Sequence, residues 1–292
     1  MELIKVGERT YYIDNPTNIG VYRINDNDVY LIDSGNDKEA GRKILKIINE
    51  NGWNVKGIIN THSNADHIGG NKVIQDRTGA LIYGYNIEKC FTEYPILESS
   101  FLYGGYPFKD LRSKFLCAKE SKVLDIDGNL PDGLSYFLVR GHYFDMIGIK
   151  TSDDVFFLGD SLFSEETINK YHIFFVYDVR EYLNTLSMLE ELDGKLFIAS
   201  HVKATSDISG IIDCNRRKIY EIIDNIYSFC DGRSFDDILK CVFDLYHLDM
   251  NVTQYVLVGS TVRSYLSYLY DEGKICFDFA DNVMLWRKIS SC

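Results

Sequence analysis

The chain has 292 residues, with 31 Lys or Arg against 43 Asp or Glu, for a net charge of −12. Such an acidic surface disfavours bulk binding to phosphate backbones or anionic lipid, but it leaves room for a small substrate. A hydrophobic content of 46% and a charged content of 25% exclude a fibrous or disordered chain and suffice for a sizeable core.

The predicted elements begin with strands. Tyr11–Ile13, Gly20–Ile24 and Val29–Ile32 are β-branched and aromatic runs separated by Asn-Pro and Asn-Asp turns. Lys38–Asn51 has apolar residues at helical spacing and closes on Gly52. Val55–Asn60 reads as a strand, Ile68–Thr78 as a helix and Ala80–Gly84 as a strand. An aromatic stretch, Phe91–Phe115, then interrupts the pattern; it suits a lid or pocket wall, or else a packed insertion or dimer contact. Strands return at Ser135–Val139, Ile147–Ile149 and Val155–Leu158. A helix over Val179–Leu192, a strand over Lys195–Ala199 and a long helix over Asp207–Cys230 follow. Two β-rich halves flanked by helices predict a sheet sandwich covered on both sides.

A boundary is expected near Asp231-Gly232-Arg233. Helices over Phe235–Tyr246, Val252–Val258 and Thr261–Asp271 precede two short strands, Lys274–Phe277 and Val283–Trp286, joined at Asp281-Asn282. Helices followed by a hairpin are the pattern of a winged helix. No apolar run reaches the ~18 residues of a membrane span, and Met1–Gly7 reads as a strand rather than a leader. The seven cysteines, Cys90, Cys117, Cys214, Cys230, Cys241, Cys276 and Cys292, include no Cys-x-x-Cys pair. They fit reduced thiols in a cytoplasmic protein.

Chemistry concentrates in one block, Thr61-His62-Ser63-Asn64-Ala65-Asp66-His67-Ile68-Gly69-Gly70, which holds two of the six histidines. It follows a strand and precedes a helix, which is where α/β sheets place their sites. His62, Asn64, Asp66 and His67 can converge on a metal from one tight loop. Downstream come Gly141-His142, then Phe156-Phe157-Leu158-Gly159-Asp160-Ser161, then Ala199-Ser200-His201. With Leu31-Ile32-Asp33-Ser34-Gly35 ahead of them, these five motifs over roughly residues 10–205 resemble the metallo-β-lactamase superfamily of metal-dependent hydrolases.

The resemblance implies an α/β protein with an αββα four-layer sandwich over residues 1–231, followed by a small winged-helix-like domain over 232–292. It implies one metal group of His62, residue 64 and His142, and a second of Asp66, His67 and His201, with Asp160 shared by both. One or two Zn²⁺ suit such ligands, with Fe or Mn as alternatives. The implied reaction is attack by a metal-bound hydroxide on an ester, thioester, lactone or related bond of a small molecule, with Asp66 as the catalytic residue that orients the hydroxide and shuttles its proton. The rival readings are a phosphodiesterase or ribonuclease of the same superfamily, and a non-catalytic metal- or ligand-binding protein with a degenerate site.

The sequence departs from the family pattern in three places. Asn64 stands where the pattern has His, so its group is expected to hold metal less tightly. Tyr143 and Phe144 replace small residues after His142, either walling a pocket or repacking the loop. No second His follows closely after His142, so a thioesterase of the glyoxalase type is not specifically supported.

His172 and His247 are isolated and read as surface or core residues. From Thr205 to Cys292 there are nine Lys or Arg and thirteen Asp or Glu, and the run Thr261–Tyr270 holds one basic residue, Arg263. No duplex nucleic acid and no membrane are therefore expected as partners. A small-molecule substrate is, and a homodimer is possible.

Overall fold

Period-two alternation in the early strands divides their side chains between two cores. Val29 and Leu31 face one apolar cluster while Tyr30 and Ile32 face another. The computed structural model describes residues 1–289; Cys292 lies outside them.

In chain order the first half comprises β1 (Glu2–Lys5), β2 (Thr10–Asp14), β3 (Ile19–Arg23), β4 (Asp28–Ile32), α1 (Lys38–Glu50), β5 (Asn54–Ile59), α2 (Ala65–Ile68), α3 (Asn71–Thr78), β6 (Leu81–Gly84), α4 (Glu88–Glu93), α5 (Ile96–Tyr103) and β7 (Leu124–Asp125). The second half comprises β8 (Leu134–Leu138), β9 (Ile147–Thr151), β10 (Val155–Phe157), α6 (Glu165–Tyr171), α7 (Val179–Glu190), β11 (Leu196–Ile198) and α8 (Ser209–Phe229). The chain ends in β12 (Asp231–Ser234), α9 (Phe235–Leu245), α10 (Val252–Asp271), β13 (Ile275–Ala280) and β14 (Val283–Lys288).

The first seven strands form one sheet in sequence order, antiparallel up to β4 and parallel from there on. β11-β10-β9-β8 form the second sheet. Ile44, Leu45 and Ile48 of α1 and Ile74 of α3 pack on the outer face of the first sheet. Ile32, Ile59, Ile147, Ile149 and Phe157 fill the space between the sheets. Tyr182 and Leu186 of α7, with Ile212, Ile219 and Ile222 of α8, cover the second sheet. The result is the αββα sandwich.

Two helix expectations change. The run Ile68–Thr78 is broken: α2 ends at Ile68, and Gly69-Gly70 lie between it and α3. A Cβ on Gly70 would overlap the Ser34 carbonyl oxygen, and one on Gly69 would overlap the Asn36 backbone. The glycines therefore let the His67 loop lie against the turn after β4. Conversely, Val252–Val258 and Thr261–Asp271 join as the single helix α10. Gly259 costs an exposed helix about 1 kcal/mol, but buried Val256, Val258, Val262 and Tyr265 on either side outweigh it.

Past Asp231 the chain adds two helices and a three-stranded sheet ordered β12-β14-β13. Ile238, Val242, Val262, Tyr265 and Leu266 belong to the same apolar cluster as α7 and α8. The core thus runs unbroken from the second sheet into the C-terminal helices. Among the described residues, no helix is long and apolar enough to cross a membrane.

Candidate metal centre

The segment between β5 and α3, which contains the short helix α2, delivers His62, Asn64, Asp66 and His67 within six residues. His142 follows β8, Asp160 follows β10 and His201 follows β11, so three more strand ends converge on that segment. Asp66, His67, Asp160 and His201 form one cluster whose donor atoms lie within 4.8 Å of one another, and His62, His142 and Asp160 form a second. Asp160 belongs to both. Its Oδ1 is 3.2 Å from His67 Nε2, and its Oδ2 is 3.2 Å from His201 Nε2 and 3.6 Å from His142 Nε2. Asn64 Oδ1 lies 3.1 Å from His142 Nε2. All seven residues singled out in the sequence are thus brought together.

Each histidine is fixed through its far nitrogen. Nδ1 of His67 lies 2.8 Å from Asp33 Oδ2, that of His142 lies 2.9 Å from the Phe175 carbonyl, and that of His201 lies 2.8 Å from the Pro16 carbonyl. His62 Nδ1 lies 3.1 Å from Thr61 Oγ1, whose own proton goes to Asp33 at 2.7 Å. With Nδ1 donating in all four rings, Nε2 carries the lone pair in each, and all four Nε2 atoms point inward. Three buried inward-facing atoms, His62 Nε2, His67 Nε2 and Asp160 Oδ1, have no hydrogen-bond partner. Buried polar atoms are normally satisfied, and divalent cations bound by imidazole and carboxylate fit these donors.

A family model described as the metallo-beta-lactamase superfamily matches residues 12–201. The chain belongs to the metallo-beta-lactamase superfamily. A beta-lactamase domain protein from Burkholderia ambifaria superposes with a TM-score of 0.74 at 15% identity, covering 99% of this chain and 94% of the other. A metallo-beta-lactamase family protein from Thermus thermophilus gives 0.72 at 18% identity, covering 99% and 98%. Both matches extend through the C-terminal helices and small sheet. A hydroxyacylglutathione hydrolase from Prochlorococcus marinus (strain MIT 9301) is 24% identical over 50% of this chain and 54% of its own length. One from Pelagibacter ubique (strain HTCC1062) is 34% identical over 18% and 22%. The chain spans about half the length, or less, of these curated relatives.

The charges of this superfamily member's site oppose burial. Burial disfavours the imidazolium of His201, but Asp160 and Asp66 outweigh it and push the ring up to about 11. His67 is likewise buried, yet Asp160, Asp66 and Asp33 raise it well above the ordinary value. Burial keeps His62 and His142 low. The carboxylates therefore demand positive charge at the centre, and protons compete with metal for the same lone pairs.

Sequence reasoning missed the supporting residues. Asp33 was visible only as part of a strand-and-turn run; an acid at a strand's carboxyl end was the available signal. Glu88 accepts from the Ser63 amide at 3.0 Å, from the Ser63 hydroxyl at 2.6 Å and from the Asp145 amide at 2.9 Å, tying the loops of His62 and His142 together. Glu98 accepts from Asn64 Nδ2 at 2.8 Å. Both glutamates lie in or just before the aromatic insertion, where no spacing marks them.

Within the insertion, Phe91 and Phe101 pack on Phe144, while Tyr106 is 76% exposed and Phe115 is 71% exposed. Tyr143 is fully buried with its ring 5.9 Å from that of His62, and Phe144 stacks on Tyr177 at 4.0 Å. His172 stacks on Tyr246 and belongs to neither ligand cluster.

Proposed function

We propose that the chain is a metal-dependent hydrolase that cleaves an ester, thioester, lactone or related bond in a small molecule. The reading rests above all on the three buried, unpartnered atoms of His62, His67 and Asp160 facing one another at the strand ends. His62, His142 and Asp160, with Asn64, would hold one ion, and Asp66, His67, His201 and Asp160 the other. The bound ions would lower the pKa of a water toward neutrality and polarise the scissile oxygen.

The chain's own residues supply position and proton handling. Asp66 is the most open of the carboxylates, with its side chain 39% exposed, and its Oδ2 accepts from Thr17 Oγ1 at 3.1 Å. That hydrogen bond holds the partly exposed Asp66 carboxylate beside the cluster. There it would orient the attacking water and hold the proton it gives up. The hydroxyacylglutathione hydrolase relatives support hydrolysis of an acyl bond, and the net charge of −12 favours a small substrate over a polynucleotide.

Elemental analysis of protein purified without added metal tests this reading. It should be followed by a screen of ester, thioester, lactone, lactam and phosphodiester substrates. The expected result is one to two equivalents of a transition metal and turnover of an acyl substrate. A metal-free protein that stays inactive when Zn²⁺, Fe²⁺ or Mn²⁺ is added overturns it.

A further inference from the structure

Asn64 stands directly before α2 as its N-cap, yet its side chain makes no capping hydrogen bond. An asparagine at that position ordinarily accepts from the first amides of the helix. Here the amide is used in the other direction. Its NH₂ donates to Glu98 Oε1 at 2.8 Å, and its carbonyl oxygen lies 3.1 Å from His142 Nε2.

While the His142 ring is neutral, the second contact is not an ordinary hydrogen bond. His142 Nδ1 is already the donor to the Phe175 carbonyl, so a neutral ring has only a lone pair at Nε2. The Asn64 oxygen also offers only lone pairs. Two acceptors at this distance repel unless a cation joins them, and His62 Nε2, in the same cluster as His142, is buried without a partner.

Glu98 explains why the oxygen points inward. It sits on α5 and is only 5% exposed. Among the described residues, Asn64 is the one hydrogen-bond partner of its carboxyl group. A buried carboxyl with so little compensation is costly. Were the amide turned round, its N–H groups would face the ligand cluster, and its oxygen would meet a Glu98 carboxyl that could satisfy it only by donating a proton of its own.

Resting on the metal-hydrolase reading above, we infer that Glu98 is a positioning residue that turns Asn64 so that its carbonyl oxygen completes the group of His62, His142 and Asp160. Each group then has two imidazole nitrogens and two side chains that bind through oxygen. The oxygen in place of a third imidazole moves this group toward harder divalent ions such as Mn²⁺ and Fe²⁺.

Titration of the metal-stripped chain with Co²⁺, followed by calorimetry and visible absorption, tests the assignment. The unaltered chain is expected to bind two Co²⁺ with unequal affinity. Glu98→Met and Asn64→Ala should each weaken the weaker equivalent by about 10- to 100-fold and shift its absorption bands, leaving the stronger equivalent unchanged. Glu98→Gln keeps an acceptor oxygen and should restore most of the affinity. Glu98→Met added to Asn64→Ala should cause no further loss.

Equal weakening of both equivalents by Glu98→Met, no weakening of either, or additive losses in the double variant would overturn the proposal. If Glu98→Met does not fold, Asn64→Ala decides: an unchanged weaker equivalent overturns it. A wild-type chain that binds one Co²⁺ overturns this inference alone, whereas one that binds none overturns the hydrolase reading as well.

Discussion

Asp33 Oδ2 sits 2.8 Å from His67 Nδ1 and also accepts the Thr61 hydroxyl proton at 2.7 Å, while its Oδ1 takes the Thr61 amide at 2.8 Å. One buried carboxylate thus orients His67 directly and His62 through Thr61. Asp33 has φ of 64°, a conformation that Asn also tolerates, so Asp33→Asn isolates the carboxylate from the backbone. An amide offers one acceptor where three donors converge. The variant should lose about 2 kcal/mol of stability and about 10- to 100-fold in metal affinity. Urea unfolding and competition with a chelator measure the two effects. Unchanged metal retention would show that Asp33 only supports the fold.

Asp160 should be more sensitive still, because both clusters share it. Asp160→Asn keeps the size of the side chain but removes the charge that His67 and His201 face at 3.2 Å. Metal content should fall by at least one equivalent. On the proposed reading, in which bound ions would assist both water and substrate, the rate on the best substrate of the screen should drop by at least about 100-fold. Normal metal content with normal rate would remove Asp160 from the centre.

The strand ends were legible because ligands of this type are sparse and fall in motifs: six histidines in the chain, four of them in the two clusters. The sandwich was legible from alternation in β4 and helical spacing in α1. Helix ends at the glycines were not. Gly69-Gly70 break a helix because Ser34 and Asn36 approach from the turn after β4, whereas Gly259 breaks nothing because both sides of α10 are buried. Both outcomes depend on tertiary neighbours that local sequence does not specify. Glu88 and Glu98 escaped notice for the same reason. Their partners Ser63 and Asn64 are 25 and 34 residues away, and nothing in their spacing foretells the contact.

The C-terminal segment should not bind duplex DNA. Arg263, the single basic residue of Thr261–Tyr270, lies over the Phe235 ring at 3.7 Å, so the cation is already engaged by an aromatic face. Arg180, beside α10, pairs with Glu272 at 2.7 Å. Phosphate binding needs several free cations on one face. Gel-shift assays at physiological salt should show no complex at micromolar protein; a salt-sensitive shift below that would contradict the expectation.

Glu88 gives the fold a pH dependence of predictable sign. Burial pushes its carboxyl up from 4.5 to about 7, against the opposing hydrogen bonds from Ser63 and Asp145. Between about pH 4.5 and 7 the native chain keeps a proton on Glu88 that the unfolded chain has released. Stability from this group is therefore full below about pH 4.5, declines as pH rises, and levels off above about pH 7. The shift corresponds to about 3 kcal/mol. Glu88→Gln cannot ionise. Near pH 4.5 it should be less stable than the unaltered chain by about 1–3 kcal/mol, because with its oxygen serving Ser63 its NH₂ cannot accept from the Asp145 amide. Near pH 8, where the unaltered chain carries a buried charge, the gap should close or reverse. Groups common to both chains, metal ligands included, cancel in that difference. Urea unfolding of the pair across this pH range measures it, and a gap independent of pH would show that Glu88 is ionised throughout.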